Sequence, residues 1–479
     1  MSGQYHWINL QRDEHRFLRP LFDGFGFGTL RLWVEAEVTR ESFERTRCGG
    51  LITALGEFEG GPVALAWSDF RVNAAAFGHE NSRRFVAFLH ELSVLPGSIP
   101  LVYTVNSAGL SLMEGRRLFS DAFAIWPALL GYADQHSFFT CAVGKCLGLA
   151  PILFGLGHYR VAVAENTQLN LTGPDVIARF FGKQLNFAEG ASVQRFHERN
   201  DLIHEIVPTV DDAFARFRQL LTRRATLDTE PVALGALSSV VLHAVLDEEP
   251  AELIPGWSSR VRVFAGTRHG TPIGIFINPP ERSDNLITVR TLEKYAAGLD
   301  LFRALGMPIV SFLDTPGIDP RFEQGDANNF RKILWVGEKI IHYPHGSMGI
   351  VLGRCFGGAA TLGFPKVFGG ARNVAVAGSR MGTMDPRIIE RQLGGSPRLL
   401  TQWKESAARQ DTGLTDLLAN GTLDAVVELA DLPSEVDRFL AKVKPALRLL
   451  APRHSREHAV RRSWPGPVAN EAGFRRQAL

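Results

Sequence analysis

The sequence predicts an α/β protein made of two similar halves in tandem, from its length, an internal repeat and alternating strand-like and helix-like runs. At 479 residues the chain exceeds the size at which a single hydrophobic core stops growing, so two domains are the default. The repeat is legible in three places. Gly61-Pro62-Val63-Ala64-Leu65-Ala66 resembles Thr271-Pro272-Ile273-Gly274-Ile275-Phe276, 210 residues later. Pro100-Leu101-Val102-Tyr103-Thr104-Val105-Asn106-Ser107-Ala108-Gly109 matches Pro308-Ile309-Val310-Ser311-Phe312-Leu313-Asp314-Thr315-Pro316-Gly317 at an offset of 208. Gly144-Lys145-Cys146-Leu147-Gly148-Leu149-Ala150 matches Gly353-Arg354-Cys355-Phe356-Gly357-Gly358-Ala359 at 209. Three matches at nearly one spacing mean one structural unit used twice.

The same order of elements recurs in each half. A β-rich apolar run, Val63 to Ala66 or Ile273 to Ile277, precedes an amphipathic helix. Phe85, Phe88 and Leu89 form the apolar face of the first helix; Leu292, Tyr295, Ala296, Leu299 and Phe302 form that of the second. A short buried strand ending in a glycine turn follows, then a further helix and the glycine-rich segment. Strands and helices alternating at these lengths read as a layered α/β fold. The boundary falls between Leu221 and Leu242, giving domains of residues 1–230 and 231–479. Beyond Gly394 the chain turns helical and polar, and the Arg-rich end from Arg453 reads as a solvated or docking tail.

Bulk composition excludes several classes of function. Hydrophobic residues make up 45% and charged residues 21%, with a formal charge of +2, so no nucleic-acid footprint is present. The four cysteines, Cys48, Cys141, Cys146 and Cys355, contain no CxxC pair, which argues against a disulfide framework or zinc ribbon. His342 and His345 flank Pro344 as surface-loop residues without metal-ligand spacing, so no metal is expected. No G-x-S-x-G supports a Ser–His–Asp triad. The N-terminal stretch is polar, and apolar runs such as Leu147 to Leu156 are too short to span a bilayer. A cytoplasmic enzyme, off the membrane, is the expectation.

With these segments in place, the chain resembles the carboxyltransferase (β) subunits of biotin-dependent acyl-CoA carboxylases, in the crotonase-like superfamily. The resemblance runs from about residue 50 to residue 395. The family's D-F-x-V-F-G-G-S-x-G aligns with Asp69-Phe70-Arg71-Val72-Asn73-Ala74-Ala75-Ala76-Phe77-Gly78. Its D-S-G-G-A-R-x-x-E-G looks like Asn106 to Gly115, its G-x-x-x-G-G-A like Gly144 to Ala150, and G-P-x-V is kept as Gly173-Pro174-Asp175-Val176. In the second half, D-x-P-G is Asp314-Thr315-Pro316-Gly317, and R-K-x-Y-G-G-A looks like Gly353 to Ala359. The implied fold is two tandem crotonase-like domains, each a spiral of ββα units.

The resemblance also implies a chemistry. Taking a proton from beside a thioester carbonyl leaves an enolate, best stabilised by two backbone N–H donors in a dry pocket. Glycine-rich turns entering a helix supply such donors. By resemblance, Gly148 and Leu149 hold the acyl-CoA carbonyl, and Gly358 and Ala359 hold the ureido oxygen of biotin carried by another subunit; no side-chain base is required. Gly109, Ala150, Gly317, Phe356 and Gly357 would line the two pockets. Gly173-Pro174 reads equally as a helix start or a pocket wall. Arg84 stands where the family has a lysine near the CoA phosphates, and also fits a solvated helix face. Asp314 to Gly317 reads as a turn or as a ligand-lining segment. Glycine pairs also serve simply for close helix–strand packing.

The departures cluster in the first half. Ala74 to Ala76 replace Gly-Gly-Ser, and Leu149 replaces a glycine, where a left-handed conformation would be costly. In the second half the lysine beside the family's arginine is absent, and Asp319-Pro320-Arg321-Phe322 lacks a later glycine of the family's loop. No biotinyl-lysine motif or ATP-grasp region is present, so the resemblance implies separate biotin carboxylase and biotin carboxyl carrier subunits. It further implies a dimer-based homo-oligomer, a hexamer being one form, with each active site shared between two copies. Two rival readings are a biotin-independent decarboxylase of malonyl-type thioesters on CoA or an acyl carrier protein, and a non-catalytic scaffold subunit.

Overall fold

The computed structural model describes residues 5–13, 18, 27–34, 47–59, 61–111, 113–114, 118–182, 186–222, 234–321, 323–324, 328–409 and 414–450. The expected boundary near residue 230 and the Arg-rich tail from Arg453 lie outside these residues.

Two sheets organise the described residues. The first holds β1 (His6–Asn9), β2 (Leu30–Val34), β3 (Leu51–Phe58), β4 (Gly61–Ser68), β5 (Leu101–Ser107), β6 (Phe138–Leu147), β7 (Tyr159–Val163) and β9 (Glu205–Val207), in the order β1-β2-β3-β4-β5-β6-β7-β9. The short β8 (Gln168–Asn170) pairs with the far end of β6. The second sheet holds β10 (Ala251–Leu253), β11 (Arg262–Arg268), β12 (Thr271–Ile277), β13 (Ile309–Thr315), β14 (Ser347–Phe356), β15 (Arg372–Val376) and β17 (Ala425–Val427), again in sequence order. There β16 (Arg380–Gly382) pairs with the end of β14. In both sheets an antiparallel start gives way to parallel pairing, from β4 onward and from β12 onward. The expected repeat is therefore a repeat of topology. The helices His79–Val94 and Val289–Ala304, each 16 residues long, stand 210 residues apart.

Burial explains why these segments take these forms. β5 is buried at every position except Asn106, and β13 at every position, as parallel strands covered on both faces require. The helix His79–Val94 buries Phe85, Phe88, Leu89 and Leu92 at helical spacing. Each such aromatic or aliphatic side chain contributes about 1.5–3 kcal/mol by leaving water. Arg84 on this helix corrects the solvated-face reading. It is 2% exposed and its guanidinium donates to the Leu51 carbonyl at 2.5 Å, tying the helix to β3. That commitment also turns it away from any phosphate in solvent.

One of three apolar clusters is shared by both halves, joining Phe139, Tyr159, Val161 and Phe217 to Trp257, Tyr295, Leu301 and Phe302. Polar ties reinforce it: Trp257 donates to the Ile203 carbonyl at 2.7 Å, and Ser137 to the Ala304 carbonyl at 2.8 Å. His158 sits at this junction, with Nδ1 accepting from the Phe138 N–H at 3.0 Å. Burial pushes its pKa down to about 4, with the nearby Arg160, Arg303 and Lys339 acting in the same direction and Asp300 against it. An imidazole depressed in the fold and ordinary when unfolded supports stability fully above pH 6.5. That contribution drains away as the pH falls towards 4.

The loop Asn73–Ala75 holds a run of strained backbone. Asn73, Ala74 and Ala75 have φ of 47°, 52° and 47°, three successive left-handed residues of which none is glycine. The loop is held by the Ala74 carbonyl, which accepts from the Ala108 N–H at 3.0 Å, and by Ala75 N–H donating to Val72 at 2.7 Å. The alanines thus keep a backbone path that glycine would follow freely, at about 1–2 kcal/mol per residue.

Two outcomes are expected. Ala74→Gly raises unfolding stability in urea by about 0.5–1 kcal/mol, since relief of left-handed strain exceeds the added chain entropy; a loss of stability would show that the loop is unstrained. The melting temperature of the native chain falls between pH 6.5 and 4.5, and His158→Gln flattens that slope; an unchanged slope would assign the acid sensitivity to other groups.

Candidate functional site

The strongest local correspondence between the halves lies at the carboxyl ends of β6 and β14. Both strands bulge against their neighbour, between Val105 and Ser107 in one half and Leu313 and Thr315 in the other. A side chain on the neighbour fills each bulge. Asn106 Oδ1 accepts from the Lys145 N–H at 3.0 Å, and Asp314 Oδ1 accepts from the Arg354 N–H at 2.8 Å. Asp314 adds an ion pair with the Arg354 guanidinium at 2.8 Å, both side chains being largely buried. Gly144 and Gly353 leave space for these side chains: a Cβ there would lie 3.0 Å from Asn106 Oδ1 or 2.9 Å from Asp314 Oδ1.

The next loop is duplicated with equal fidelity. Ser107 Oγ accepts from the Gly109 N–H at 3.1 Å, and Thr315 Oγ1 from the Gly317 N–H at 3.2 Å. Gly109 and Gly317 take φ of 97° and 134°, a region closed to other residues without strain. Their carbonyls accept from Phe77 N–H and Ile287 N–H at 2.8 and 2.9 Å, docking the loop onto the segment that opens the long helix of each half. Asp314 to Gly317 is thus a hydrogen-bonded turn, with its acid committed to Arg354.

Gly148 and Gly357 then turn the chain with φ of 64° and 58°. A Cβ on Gly148 would lie 3.1 Å from the Gly109 Cα, so the two loops meet backbone to backbone. Gly148 does not serve as the expected donor. Its N–H is engaged by the Asn170 carbonyl at 3.1 Å, across the β6–β8 junction. The N–H groups left without a partner among the described residues are those of Leu149 and Ala150, at the start of the helix Ala150–Gly155. Their counterparts at the repeat offset are Gly358 and Ala359, at the start of the 3₁₀ run Gly357–Gly363.

Leu149 resolves a tension in the sequence. It has φ −68° and ψ −28°, ordinary helical values, because the preceding glycine takes the left-handed step. Its side chain is 3% exposed and packs into the core of the first half, so substitution of glycine by leucine leaves the backbone donor in place. Phe356 and Ala359 are likewise buried, at 2% and 1%. Gly173 caps the helix Pro174–Phe181 with Pro174 in its first turn, and a Cβ on Gly173 would meet Leu147 Cδ1 at 3.8 Å. That helix therefore starts beside the first turn.

The two thiols of the strands leading to the turns are not poised for acid–base work. Burial raises the Cys146 thiol well above its usual range and the Cys355 thiol to about 12, so both stay neutral near pH 7. Among the described residues no group of acidic, His and Cys side chains is arranged to hold a metal ion. What the arrangement offers is two pairs of N–H donors without a backbone partner among the described residues, each at the end of a buried strand. Sequence reasoning located both turns but missed the Asn106 and Asp314 side chains that fix them. Their signal was the shared Asx-Ser/Thr-x-Gly spacing of Asn106–Gly109 and Asp314–Gly317.

Comparison with known proteins agrees with this fold. The carboxyl transferase domain family matches residues 19–233. The chain is 25% identical over 351 residues to a biotin-dependent acetyl-/propionyl-coenzyme A carboxylase beta6 subunit of Mycobacterium tuberculosis, covering 68% of this chain and 70% of that one. It is 22% identical over 454 residues to the propionyl-CoA carboxylase beta chain of Saccharopolyspora erythraea, covering 84% and 80%. The fold superposes on the hexameric transcarboxylase 12S core, crystallised with hydrolysed methylmalonyl-coenzyme A, with TM-score 0.72 and 18% identity over 83% of this chain and 82% of that one. A single-chain, multi-domain long-chain acyl-CoA carboxylase gives TM-score 0.66 and 17% identity, covering 81% of this chain and 41% of that one. Residues 19–233 thus match the carboxyl transferase domain family, the chain is similar to β subunits of acyl-CoA carboxylases over two thirds or more of its length, and its fold is that of the transcarboxylase 12S core.

Proposed function

We propose that this chain is the carboxyltransferase subunit of a biotin-dependent acyl-CoA carboxylase, moving a carboxyl group to the α-carbon of an acyl-CoA. The observation that carries the reading is the duplicated donor turn, Leu149 and Ala150 in one half and Gly358 and Ala359 in the other. The first pair would hold the thioester carbonyl oxygen as negative charge develops on it. Donors fixed by a buried strand and a helix start need no reorganisation when that charge appears. The second pair fits a ureido oxygen: Gly358 presents no side chain, and its opening N–H groups have no acceptor within the 3₁₀ run. Carboxybiotin, delivered on a carrier subunit, would supply the carboxyl group there.

Exposed apolar side chains beside the turns support an assembly that completes each site with a second copy. Val176 and Phe180 on the helix Pro174–Phe181 are 54% and 81% exposed. Phe330 and Leu334, on the helix Asn329–Ile341 of the other half, are 77% and 73% exposed. Apolar surface of this kind on both halves is what a shared interface would cover. The described residues contain no helix long and apolar enough to cross a membrane.

The purified chain alone, given malonyl-CoA and methylmalonyl-CoA, is expected to release CO2 faster when free biotin is added. Gly357→Val, which forces a branched side chain into a left-handed turn, should abolish the biotin effect and cut turnover by about 10²–10³. Decarboxylation indifferent to biotin would transfer the assignment to a biotin-independent malonyl-thioester decarboxylase. Absence of turnover with any acyl thioester would favour a scaffold role.

A further inference from the structure

A cavity of about 1010 Å³ lies away from the donor turns. It opens between the two halves at the amino ends of their parallel strands, where His136 precedes β6, His158 precedes β7 and Pro308 precedes β13. The turns lie at the other end of β6 and β14, one ten-residue strand away, or roughly 30 Å. The volume is that of a small-molecule site. Its position makes it separate from the carboxyltransferase chemistry, and the inference does not rest on the function proposed above.

The walls of this cavity are rich in donors. His136, His158 and His204 each use Nδ1 to accept a backbone N–H, from Ile99 at 3.2 Å, Phe138 at 3.0 Å and Arg160 at 3.3 Å. That pattern places the proton of each neutral ring on Nε2, making all three donors and leaving no lone pair for a metal. His136 and His204 are 8% and 0% exposed, and their Nε2 atoms have no hydrogen-bond partner in the structure. His158 is half-buried and open to the cavity.

The charge balance leans the same way. Arg160 spends its guanidinium on three carbonyls, those of Leu202, Gly157 and Asp201, so its charge has no carboxylate in hydrogen-bond contact. Arg303, exposed in the last turn of the helix Val289–Ala304, reaches the rim without a carboxylate partner among the described residues. Three of the four wall carboxylates are already neutralised: Asp300 by Lys339 at 2.5 Å, Glu293 by Arg290 at 2.8 Å, and Asp201 by Lys332 at 3.5 Å. Asp134 stands exposed at the rim. Apart from Asp134 at the rim, the unspent groups are cationic or N–H donors, and they call for acceptor oxygens.

The geometry points to a second ligand site in this cavity for a small molecule bearing a carboxylate or phosphate group, with Arg303 and the His158 Nε2–H as its principal contacts. Such a ligand would bridge the two halves, since His158 belongs to the first and Arg303 to the second.

Isothermal titration of the full chain in its native oligomer with pyrophosphate and with citrate tests this and distinguishes phosphate from carboxylate ligands. Saturable binding of at least one, with affinity of about 1 mM or better, is expected. Arg303→Ala, a surface change that leaves the fold intact, should weaken it about tenfold, and Arg303→Lys should restore part of the loss. Gly357→Val should bind the same anion unchanged, separating this cavity from the donor turns. No saturable binding of either anion, or binding indifferent to Arg303→Ala, would overturn the assignment.

Discussion

Each half of this protein depends on one backbone constraint: a strand must end with its next N–H groups left unpaired by the backbone, in a place where a helix begins. Gly148 and Gly357 meet it by taking the left-handed step, and everything nearby serves to hold that step. The Asn106 and Asp314 side chains fill the bulge beneath it, while Gly109 meets Gly148 backbone to backbone. The result is a donor pair whose direction is set by covalent geometry and buried hydrogen bonds, with no side chain left to reorient. In a dry setting such fixed dipoles stabilise a developing oxyanion more than mobile groups can.

The two halves solve the same problem with unequal means. Asp314 forms an ion pair as well as a backbone hydrogen bond, and Arg354 reaches on to the carbonyls of Arg282 and Ser283. Asn106 is neutral and makes the backbone contact alone among these. The second turn enters a 3₁₀ run of small residues, whereas the first enters an α-helix whose cap, Leu149, also anchors the core. The first half thus ties its donor turn to packing, and the second to charge. Three successive left-handed residues occur in the first half's loop at Asn73–Ala75, which bonds to the residue preceding Gly109.

Much of this was legible in the sequence because it is periodic. The repeat at 208–210 residues located β5, β6, β13 and β14, and the apolar spacing of Phe85, Phe88 and Leu89 gave the buried face of its helix. Three features were not legible. Which N–H groups are free depends on β8 reaching the end of β6 to engage Gly148, a contact between segments some twenty residues apart. The inward course of Arg84 depends on the Leu51 carbonyl, supplied by a strand more than thirty residues earlier. The left-handed path of the alanines contradicts their local preference and is imposed by Val72 and Ala108. The cavity between the halves had no sequence signal at all, since its histidines come from separate connections.

The central claim is that Leu149 and Ala150 form the acyl oxyanion site. The most direct measurement is a crystal structure of the oligomer with a CoA thioester analogue that carries an anionic oxygen in place of the enolate. The account predicts that oxygen about 2.7–3.1 Å from both N–H groups. An oxygen bound instead at another surface, away from Leu149 and Ala150, would contradict it.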